Sequence, residues 1–288
     1  MKTGRLSRRS LIRGASLLAA GAVAGSAIAH GESTELQRVV KKGRINQSVS
    51  KWCYGKLTLD QLCEAGVKMG LKGIDLLVPK DFPTLKKYGL VCTMTSGGGS
   101  LNDKTKHEET ISRLGSLIEA NAEYGFPNVI AMSGNRNGIA DDVGIENAVA
   151  ALKKVAGLAE QKKVNVCVEY LNSKVDHKGY MFDKMAWGVE VCTRVGSPNV
   201  KILYDIYHAQ IMEGDIIRTI QTYKHLIGHY HTGGNPGRHE IDETQELYYP
   251  AIMRAIADTG YTGYVAHEFV PKRDPLTSLA QAIEICDV

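Results

Sequence analysis

The stretch Val200-Lys201-Ile202-Leu203-Tyr204-Asp205 is a short, mainly apolar run that ends on an acidic residue, and it predicts a buried β-strand. Similar runs recur along the chain. The segments between them carry apolar residues at the three- and four-residue spacing that is typical of amphipathic helices. Together with residues 200–205, the candidate strands are Ile45–Val49, Gly73–Leu77, Leu90–Thr95, Asn128–Met132, Asn165–Glu169, Ile227–His231 and Tyr264–Glu268.

Eight strand–helix units in a chain of 288 residues predict a (β/α)8 TIM barrel, an α/β fold that typically needs about 250 residues. The alternative is an open, doubly wound sheet, which is favoured when a glycine-rich phosphate-binding turn follows the first strand. Here Lys51-Trp52-Cys53-Tyr54 follows that strand, without a G-x-G-x-x-G motif. The sequence therefore predicts a single barrel domain over residues 30–288.

The first 29 residues predict a targeting signal rather than part of the barrel. The adjacent Arg8 and Arg9 precede an uncharged stretch from Gly14 to Ala29, which closes with the typical cleavage site Ala27-Ile28-Ala29. This arrangement resembles a twin-arginine signal peptide and predicts export to the periplasm, with cleavage near Ala29 and no stable membrane insertion afterwards. The alternative is an N-terminal anchor, but 16 uncharged residues are fewer than the roughly 20 that cross a bilayer.

The acidic and basic residues of the main body nearly balance. Five of the 35 Lys and Arg residues lie in the first 29 positions, which hold no acidic residue, so 30 basic and 31 acidic residues remain. A nucleic-acid partner requires an excess of positive charge to neutralise phosphates, so the sequence predicts no such partner. The composition, with 43% hydrophobic residues, also excludes disordered and collagen-like chains.

The six cysteines are scattered, without a Cys-x-x-Cys pair. Cys92, Cys167 and Cys192 lie in apolar runs, where we expect buried free thiols. An even number of cysteines in an exported protein also allows disulfides, so a bond between Cys53 and Cys63 stays open.

Four consecutive candidate strands end on a side chain that can bind a metal ion. These residues are Glu169, Asp205, His231 and Glu268. In a barrel, the carboxyl ends of the strands converge on the mouth, where active sites lie. Because side chains alternate along a strand, the residue two positions earlier in each strand should face the barrel interior as well. Three carboxylates and an imidazole suit a divalent ion such as Mn²⁺, Mg²⁺, Co²⁺ or Zn²⁺.

A single acidic residue at a strand end more commonly caps the following helix than it binds a metal. Four consecutive strands with this ending are difficult to explain by capping, which favours a metal site. His267 is adjacent to Glu268 and should point to the other face of its strand, in a structural role. His229, two residues before His231, is interpreted as part of the barrel interior.

Polar residues in the loops that follow these strands should reach the same mouth. Asn172 and His208 each lie three residues beyond a predicted ligand, and Arg238 lies in a glycine-rich turn after the next strand. A guanidinium beside three carboxylates is a suitable partner for a substrate oxygen.

Several segments resemble the hydroxypyruvate isomerase family, within the xylose isomerase-like TIM barrel superfamily. The resemblance extends over roughly residues 45–288 and is weak before residue 160. The matching runs are Glu169–Asn172, Tyr204–Asp215, Pro236–Glu240 and Gly263–Phe269, of which Asp205–His208 and Pro236–Glu240 are the most specific. It implies that the four strand-end residues hold the metal and that Glu169 and Glu268 act as the acid–base pair. It also implies that His208 and Arg238 contact the substrate. Asn172 joins them as a candidate substrate-binding residue.

Two segments depart from the hydroxypyruvate isomerase pattern. This chain has His231-Thr232-Gly233-Gly234 at the place where many of these enzymes have a sequence similar to Gln-Ile-Ala-Asp. A histidine at this place looks more like the ketose 3-epimerases of the same superfamily. After Glu268, the run Phe269–Pro275 replaces the usual Tyr-x-Pro ending. Both departures concern the substrate and leave the predicted metal site intact.

The predicted site suits the interconversion of α-hydroxycarbonyl compounds through an enediolate. Proton return to the neighbouring carbon gives aldose–ketose isomerisation of a sugar or keto acid, and return to the same carbon from the opposite face gives epimerisation. Another metal-dependent sugar enzyme such as a dehydratase, and a non-catalytic periplasmic sugar-binding barrel, are the remaining alternatives. An endonuclease IV-like hydrolase needs several zinc ions and basic phosphate-binding residues, which the near-neutral main body disfavours.

Overall fold

The computed structural model describes residues 37–288, which form a barrel of parallel strands with helices between them. The strands of this part of the chain, β1 to β9, are Asn46–Ser50, Gly73–Asp75, Val91–Cys92, Thr95–Gly98, Asn128–Ala131, Asn165–Glu169, Val200–Asp205, Ile227–Thr232 and Tyr264–His267. The predicted (β/α)8 fold is confirmed, and every predicted strand except the third agrees with the structure to within two residues at each end.

The strand order makes the first and last strands neighbours. Hydrogen bonds link the strands in the order β3-β2-β1-β9-β8-β7-β6-β5-β4, and all pairs are parallel. A parallel bridge between Leu77, just beyond β2, and Thr95 in β4 joins the two ends of this sheet and closes the barrel. The pairing of the first strand with the last one brings the loop after β1 beside the loop after β9.

The third predicted strand, Leu90–Thr95, is in fact two short strands, β3 and β4. Between them, Thr93 and Met94 leave the regular ladder, although the Thr93 amide still donates to the Ile74 carbonyl at 3.1 Å. In addition, the Thr93 side-chain hydroxyl donates a hydrogen bond to Asp75 Oδ1 inside the barrel, at 2.5 Å. The irregularity therefore lies where a buried polar group requires a partner.

The helices of the described chain cover the outside of the strands. Helices α1 to α9 are Leu59–Met69, Phe82–Tyr88, His107–Tyr124, Asp141–Lys162, Met185–Val195, Ile206–Met212, Ile216–Tyr223, Tyr249–Asp258 and Pro275–Cys286. Helix α1 illustrates how the local sequence fixes their bounds. Its first turn is closed by a capping box, in which the Thr58 side chain accepts from the Gln61 amide and the Gln61 side chain accepts from the Thr58 amide. The helix ends at Gly70, whose φ of 98° favours glycine.

The barrel has an outer and an inner apolar layer. The outer layer packs helices on strands and includes all five residues of the stripe predicted in α4, Val149, Leu152, Val155, Ala156 and Ala159. The inner layer is a smaller cluster formed by Met94, Ile130, Cys167 and Leu203. It fills the barrel below the mouth, so the side chains at the strand ends rest on a packed floor.

All six cysteines are buried free thiols, as expected for Cys92, Cys167 and Cys192. The disulfide that the sequence left open between Cys53 and Cys63 is not formed in this structure. No helix among residues 37–288 combines the length and the apolar character that crossing a membrane requires. The predicted signal peptide, residues 1–29, lies outside the described residues.

Candidate active site

Four side chains from the carboxyl ends of β6 to β9 meet at the barrel mouth, and we refer to them as the tetrad. They are Glu169, Asp205, His231 and Glu268. One ligand atom of each lies within 4.8 Å of all the others, and all four residues are buried. Strand alternation explains the convergence, because Cys167 and Leu203, two positions earlier in β6 and β7, lie in the inner layer directly below. The structure thus brings together the four residues that the sequence predicts as metal ligands.

His231 is oriented through both of its ring nitrogens. Its Nε2–H donates to Asp75 Oδ2 at 2.9 Å, since a carboxylate can only accept. Its Nδ1 lies 2.5 Å from Glu268 Oε2, 3.7 Å from Glu169 Oε1 and 3.8 Å from Asp205 Oδ2. In this orientation Nδ1 faces the three carboxylates, and once the ring gives up the Nδ1 proton, the lone pair of Nδ1 would be directed at a metal ion between them.

The donor set fits a divalent cation. His231 Nδ1 and Glu268 Oε2 are buried and make ion-pair contacts, but neither has a well-directed hydrogen bond within the described chain. Burying such atoms is costly unless another group satisfies them. Three carboxylate oxygens and one imidazole nitrogen are a suitable ligand set for a divalent ion. The contact from His231 to Asp75 is the outer hydrogen bond that commonly orients a metal-binding histidine.

The charges of the tetrad shift one another's protonation. Burial raises the pKa of Asp205 to about 7, although Arg238 opposes the shift. Burial acts on Glu268 in the same direction, but His231 and Arg238 hold the pKa of that carboxyl well below its usual range. Burial would lower the pKa of His231, yet Glu268 above all raises it well above the usual value. Burial is the largest cause of the raised pKa of Asp205, and a bound cation would lower it by stabilising the carboxylate form.

Asp75, in β2, is a site residue that the strand-end pattern does not reveal. Besides accepting from His231, it lies 3.2 Å from His229 Nε2 through Oδ1 and accepts the Thr93 hydroxyl. Burial opposes its ionisation, but the two histidines lower the pKa of Asp75 to about 2. The signal that would have found it is an acidic residue within the predicted strand Gly73–Leu77, where an unpaired buried charge is costly.

His229 and His267, which we expected to be structural, lie on the faces of their strands that the alternation of side chains predicts. His229 is fully buried in the barrel interior beside Asp75. His267 faces the opposite side of β9, where its Nε2 is 2.9 Å from Gln47 Oε1 and its Nδ1 is 3.1 Å from Thr232 Oγ1. Neither of them belongs to the tetrad.

His208 and Asn172 form a fixed pair at the mouth. The Asn172 Oδ1 accepts the backbone amides of Val175 and Asp176, so its Nδ2 is the atom that faces His208 and donates to Nδ1 at 2.6 Å. The proton of the neutral His208 ring therefore lies on Nε2, which is 3.6 Å from Asp205 Oδ2. Burial holds the pKa of His208 well below its usual value. His208 is thus a neutral N–H donor, and a direct contact from Asn172 to substrate stays a prediction.

Arg238 reaches into the tetrad from the loop after β8. Its Nη2 lies 3.0 Å from Asp205 Oδ2 and 2.8 Å from Glu268 Oε2. Its guanidinium carbon lies 5.4 Å from the ring centres of both Trp52 and Tyr207, within the range of cation–π contacts. The backbone of Arg238 has a φ of 56°, an uncommon value for a residue other than glycine. The guanidinium is therefore held beside the carboxylates, with its charge directed at the mouth.

Trp52 is a second site residue that the sequence patterns do not identify. It lies in a single 3-10 turn, Lys51–Tyr54, directly after β1, and its Nε1–H donates to Glu268 Oε1 at 2.6 Å. Barrel closure makes this contact possible, because it brings the loop after β1 next to β9. In a closed barrel the first and last strands are neighbours. The predicted fold therefore already implied that a residue in the loop after β1 could reach Glu268, and this is the signal from which Trp52 could have been identified.

Comparison with protein families gives a match over most of the described chain. The model of the family described as xylose isomerase-like TIM barrel matches residues 83–287. This region includes the whole tetrad and the loops that follow its strands.

The chain is also similar to proteins named as isomerases. A 2-oxo-tetronate isomerase from Cupriavidus necator is 35% identical over 117 residues, 41% of this chain and 44% of that protein. A hydroxypyruvate isomerase relative from Homo sapiens is 28% identical over 161 residues, 54% of this chain and 58% of that protein. A 2-oxo-tetronate isomerase from Pectobacterium atrosepticum is 25% identical over 227 residues, 73% of this chain and 85% of that protein. The matches to the first two proteins thus span about half of their length.

Solved structures agree on the fold. A protein described as an AP endonuclease of family 2 from Brucella melitensis superposes with a TM-score of 0.73 at 24% identity, over 83% of this chain and 97% of that one. A 3-keto-D-glucoside 4-epimerase from E. coli gives a TM-score of 0.71 at 19% identity over the same shares. At these identities the likeness concerns the barrel alone.

Proposed function

The chain belongs to the xylose isomerase-like TIM barrel family, and on that premise we propose that it is a divalent-metal-dependent isomerase of a sugar or keto acid. The observation that carries the proposal is the tetrad, in which two glutamates share one buried centre with an aspartate and a histidine. A helix-capping role alone would not require these groups to converge. Asp205 does cap α6 through Oδ1, yet its Oδ2 faces the tetrad.

The tetrad residues would hold Mn²⁺, Mg²⁺, Co²⁺ or Zn²⁺ through three carboxylates and His231 Nδ1. A bound divalent ion supplies Lewis acidity, which polarises the carbonyl and the neighbouring hydroxyl oxygen of an α-hydroxycarbonyl substrate. Asp75 holds the His231 ring in the ligating orientation through Nε2–H.

Glu169 and Glu268 are the groups that move protons. One carboxylate takes the proton from the carbon next to the carbonyl, and the electron pair of that C–H bond forms the double bond of an enediolate. The π electrons of the carbonyl pass to its oxygen, which takes up a proton. A carboxylate then returns a proton to the former carbonyl carbon, while the neighbouring hydroxyl loses its proton and becomes the new carbonyl, which completes the aldose–ketose isomerisation. His208 Nε2–H and the Arg238 guanidinium are available to donate to the substrate oxygens on which negative charge develops.

A ketose 3-epimerase is the second candidate. His231 favours a 3-epimerase, because sequences that follow the hydroxypyruvate isomerase pattern more often have a glutamine at this position. Epimerisation uses the same enediolate, but the proton returns to the same carbon from the opposite face. A dehydratase and a non-catalytic sugar binder are further outcomes of the same assay.

Metal analysis of the purified protein and turnover on a panel of 2-keto acids and ketoses test the proposal. We expect about one divalent ion per chain, and incorporation of solvent deuterium at the carbon next to the carbonyl in D₂O. Product analysis separates an isomer from an epimer or a dehydrated compound. Protein that remains metal-free after reconstitution with each of the four ions would overturn the proposal. Tight sugar binding without turnover would indicate a binder.

We also propose that the chain is exported by the twin-arginine route, on the evidence of Arg8, Arg9 and the Ala27–Ala29 site. N-terminal sequencing of the periplasmic protein should then begin near His30. Replacing Arg8 and Arg9 by lysine should retain the precursor in the cytoplasm. Unchanged export of that variant would contradict the twin-arginine assignment.

A further inference from the structure

Trp52 combines a buried anchor with an open surface. Its indole N–H is fixed to Glu268 Oε1 at 2.6 Å, yet 49% of the residue is exposed to solvent. The Arg238 guanidinium carbon lies 5.4 Å from the centre of the Trp52 ring and equally far from the centre of the Tyr207 ring. A single exposed aromatic residue needs no explanation by itself. An exposed indole that is tied to a carboxylate of the tetrad does, because the ring is held beside the place where substrate must lie.

We propose that Trp52 is a positioning residue for Glu268 and that its exposed face forms a wall of the substrate site, which favours a ketose of five or six carbons over a three-carbon keto acid. This inference rests on the proposed function, since it names the substrate class of the same site. The two parts of the side chain have separate roles. The N–H group orients the carboxylate, and the aromatic face contacts the substrate.

The positioning role follows from the contacts of Glu268. Its Oε2 is turned toward His231 and Arg238, while its Oε1 accepts from Trp52. The indole thereby fixes the rotation of the carboxylate about its last bond. Hydrogen bonds to charged groups are among the stronger ones, so their loss has a measurable effect on a group that must meet a substrate carbon.

The preference for a longer substrate follows from the polarity of the site. The tetrad, Arg238 and His208 offer charged and polar groups that match the oxygens of a small keto acid. Such a molecule has few C–H groups left to cover an indole. A ketose of five or six carbons presents a row of C–H groups beyond its reacting carbons, and an aromatic face is a suitable surface for them.

Two substitutions separate the roles. Trp52→Phe keeps a ring but removes the N–H group, and we expect kcat to fall about 10-fold for D-fructose and for hydroxypyruvate alike. Trp52→Ala removes the ring too, and we expect a further loss of about 10-fold in kcat/KM for D-fructose and less than about 3-fold for hydroxypyruvate. Tyr248→Ala is the matched control, because it removes an exposed ring next to α8.

Fluorescence tests the same inference without turnover. The chain has two tryptophans, and Trp187 is buried against Phe182, so Trp187→Phe leaves Trp52 as the single indole emitter. Co²⁺ should then quench this emission on binding, whereas Mg²⁺ should not, because the indole touches a tetrad carboxylate. Addition of D-fructose to the Mg²⁺ form should shift the Trp52 emission more than hydroxypyruvate does.

The outcomes distinguish the two proposals. If no compound of the panel of 2-keto acids and ketoses is turned over but Co²⁺ and D-fructose change the Trp52 emission, the proposed reaction fails and the role of the Trp52 face as a wall of the substrate site stands. Emission that does not respond to Co²⁺ in metal-loaded protein would refute the contact with Glu268. The specificity role is wrong if Trp52→Ala lowers kcat/KM equally for both compounds, or if hydroxypyruvate alone changes the emission. Wild-type kcat in Trp52→Phe would exclude the positioning role.

Discussion

Glu169 and Glu268 have the same side chain and equivalent places on the barrel, yet their surroundings differ. Glu268 has three cationic or N–H neighbours: Trp52 Nε1 at 2.6 Å, Arg238 Nη2 at 2.8 Å and His231 Nδ1 at 2.5 Å. Among residues 37–288, the nearest such contact of Glu169 is His231 Nδ1, at 3.7 Å. Both are buried, with 6% of Glu169 and 3% of Glu268 exposed. Glu268 is thus a fixed carboxylate and Glu169 a freer one.

The difference arises from the loops rather than from the strands. The strand ends place both glutamates at the mouth, as alternation requires. The neighbours of Glu268 come from the loop after β1 and the loop after β8, which closure of the barrel brings together around β9. A symmetric fold therefore gives two equivalent positions, and its loops make them chemically unequal.

The largest expected effect is the loss of proton transfer in Glu169→Gln and in Glu268→Gln. Each amide keeps the shape of the side chain but cannot accept the proton, so turnover should fall about 10²- to 10⁴-fold in both variants. Solvent-deuterium incorporation, measured at saturating metal, checks this expectation. Full activity in both variants would exclude the acid–base assignment.

The same two variants should differ in stability. Glu268→Gln removes the counter-charge of buried Arg238 and His231, so we expect it to lower the free energy of unfolding of the metal-free protein by about 3 kcal/mol. Glu169→Gln removes a carboxylate without a close cationic partner and should cost less than about 1 kcal/mol. Denaturant titration of both variants measures the contrast. Equal losses would mean that the asymmetry between the two glutamates has no energetic consequence.

Arg238→Met sharpens the comparison, because Arg238 contacts Glu268 and Asp205. Loss of the guanidinium removes the proposed charged donor to the substrate, and we expect KM to rise about 100-fold. Metal affinity should be unchanged or higher, since a cation that competes for the same carboxylates has been removed. Calorimetric metal titration and steady-state kinetics separate the two effects. A lower metal affinity in Arg238→Met would show that Arg238 organises the tetrad instead of competing within it.

Asp75→Asn tests the orientation of His231, the residue that both glutamates contact. Its contact with His231 Nε2–H orients the ring for the whole tetrad, so we expect metal affinity to fall about 10- to 100-fold. Ser50→Ala is the matched control. The Ser50 hydroxyl also contacts Asp75, at 3.4 Å, but its removal leaves the carboxylate in place and should change metal affinity less than about 3-fold. Equal effects of the two substitutions would exclude an orienting role for Asp75.

The tetrad could be predicted from sequence because it depends on two local rules. Strand period fixes which side chains share a face, and parallel strands of a barrel end at the same rim. Glu169 and Asp205 are the last residues of their observed strands, as predicted. The four residues of the tetrad therefore follow from patterns that can be read within each strand.

The supporting residues could not be predicted in the same way. Asp75 lies in the first half of the chain, and although it ends the observed strand β2, it falls in the middle of the predicted strand Gly73–Leu77. Its partners are 18 to 156 residues away in sequence. Trp52 contacts Glu268 across 216 residues. Such contacts depend on the closed barrel as a whole and have no local period. The break between β3 and β4 lies at Thr93, whose hydroxyl donates to the buried Asp75.

The smallest expected effect comes from the loop after Glu169, where Asn172 fixes the His208 tautomer. Asn172→Ala removes the donor to His208 Nδ1, so the ring can carry its proton on either nitrogen, and the loss of one ordinary hydrogen bond should lower kcat/KM about 5-fold. Asn172→Asp sharpens the test, because its carboxylate accepts from Nδ1–H and leaves a lone pair on Nε2, toward the substrate. We therefore expect Asn172→Asp to be less active than Asn172→Ala, with the change of tautomer visible in the ¹⁵N shifts of His208. The opposite order of activities would mean that His208 accepts a hydrogen bond at the mouth rather than donating one.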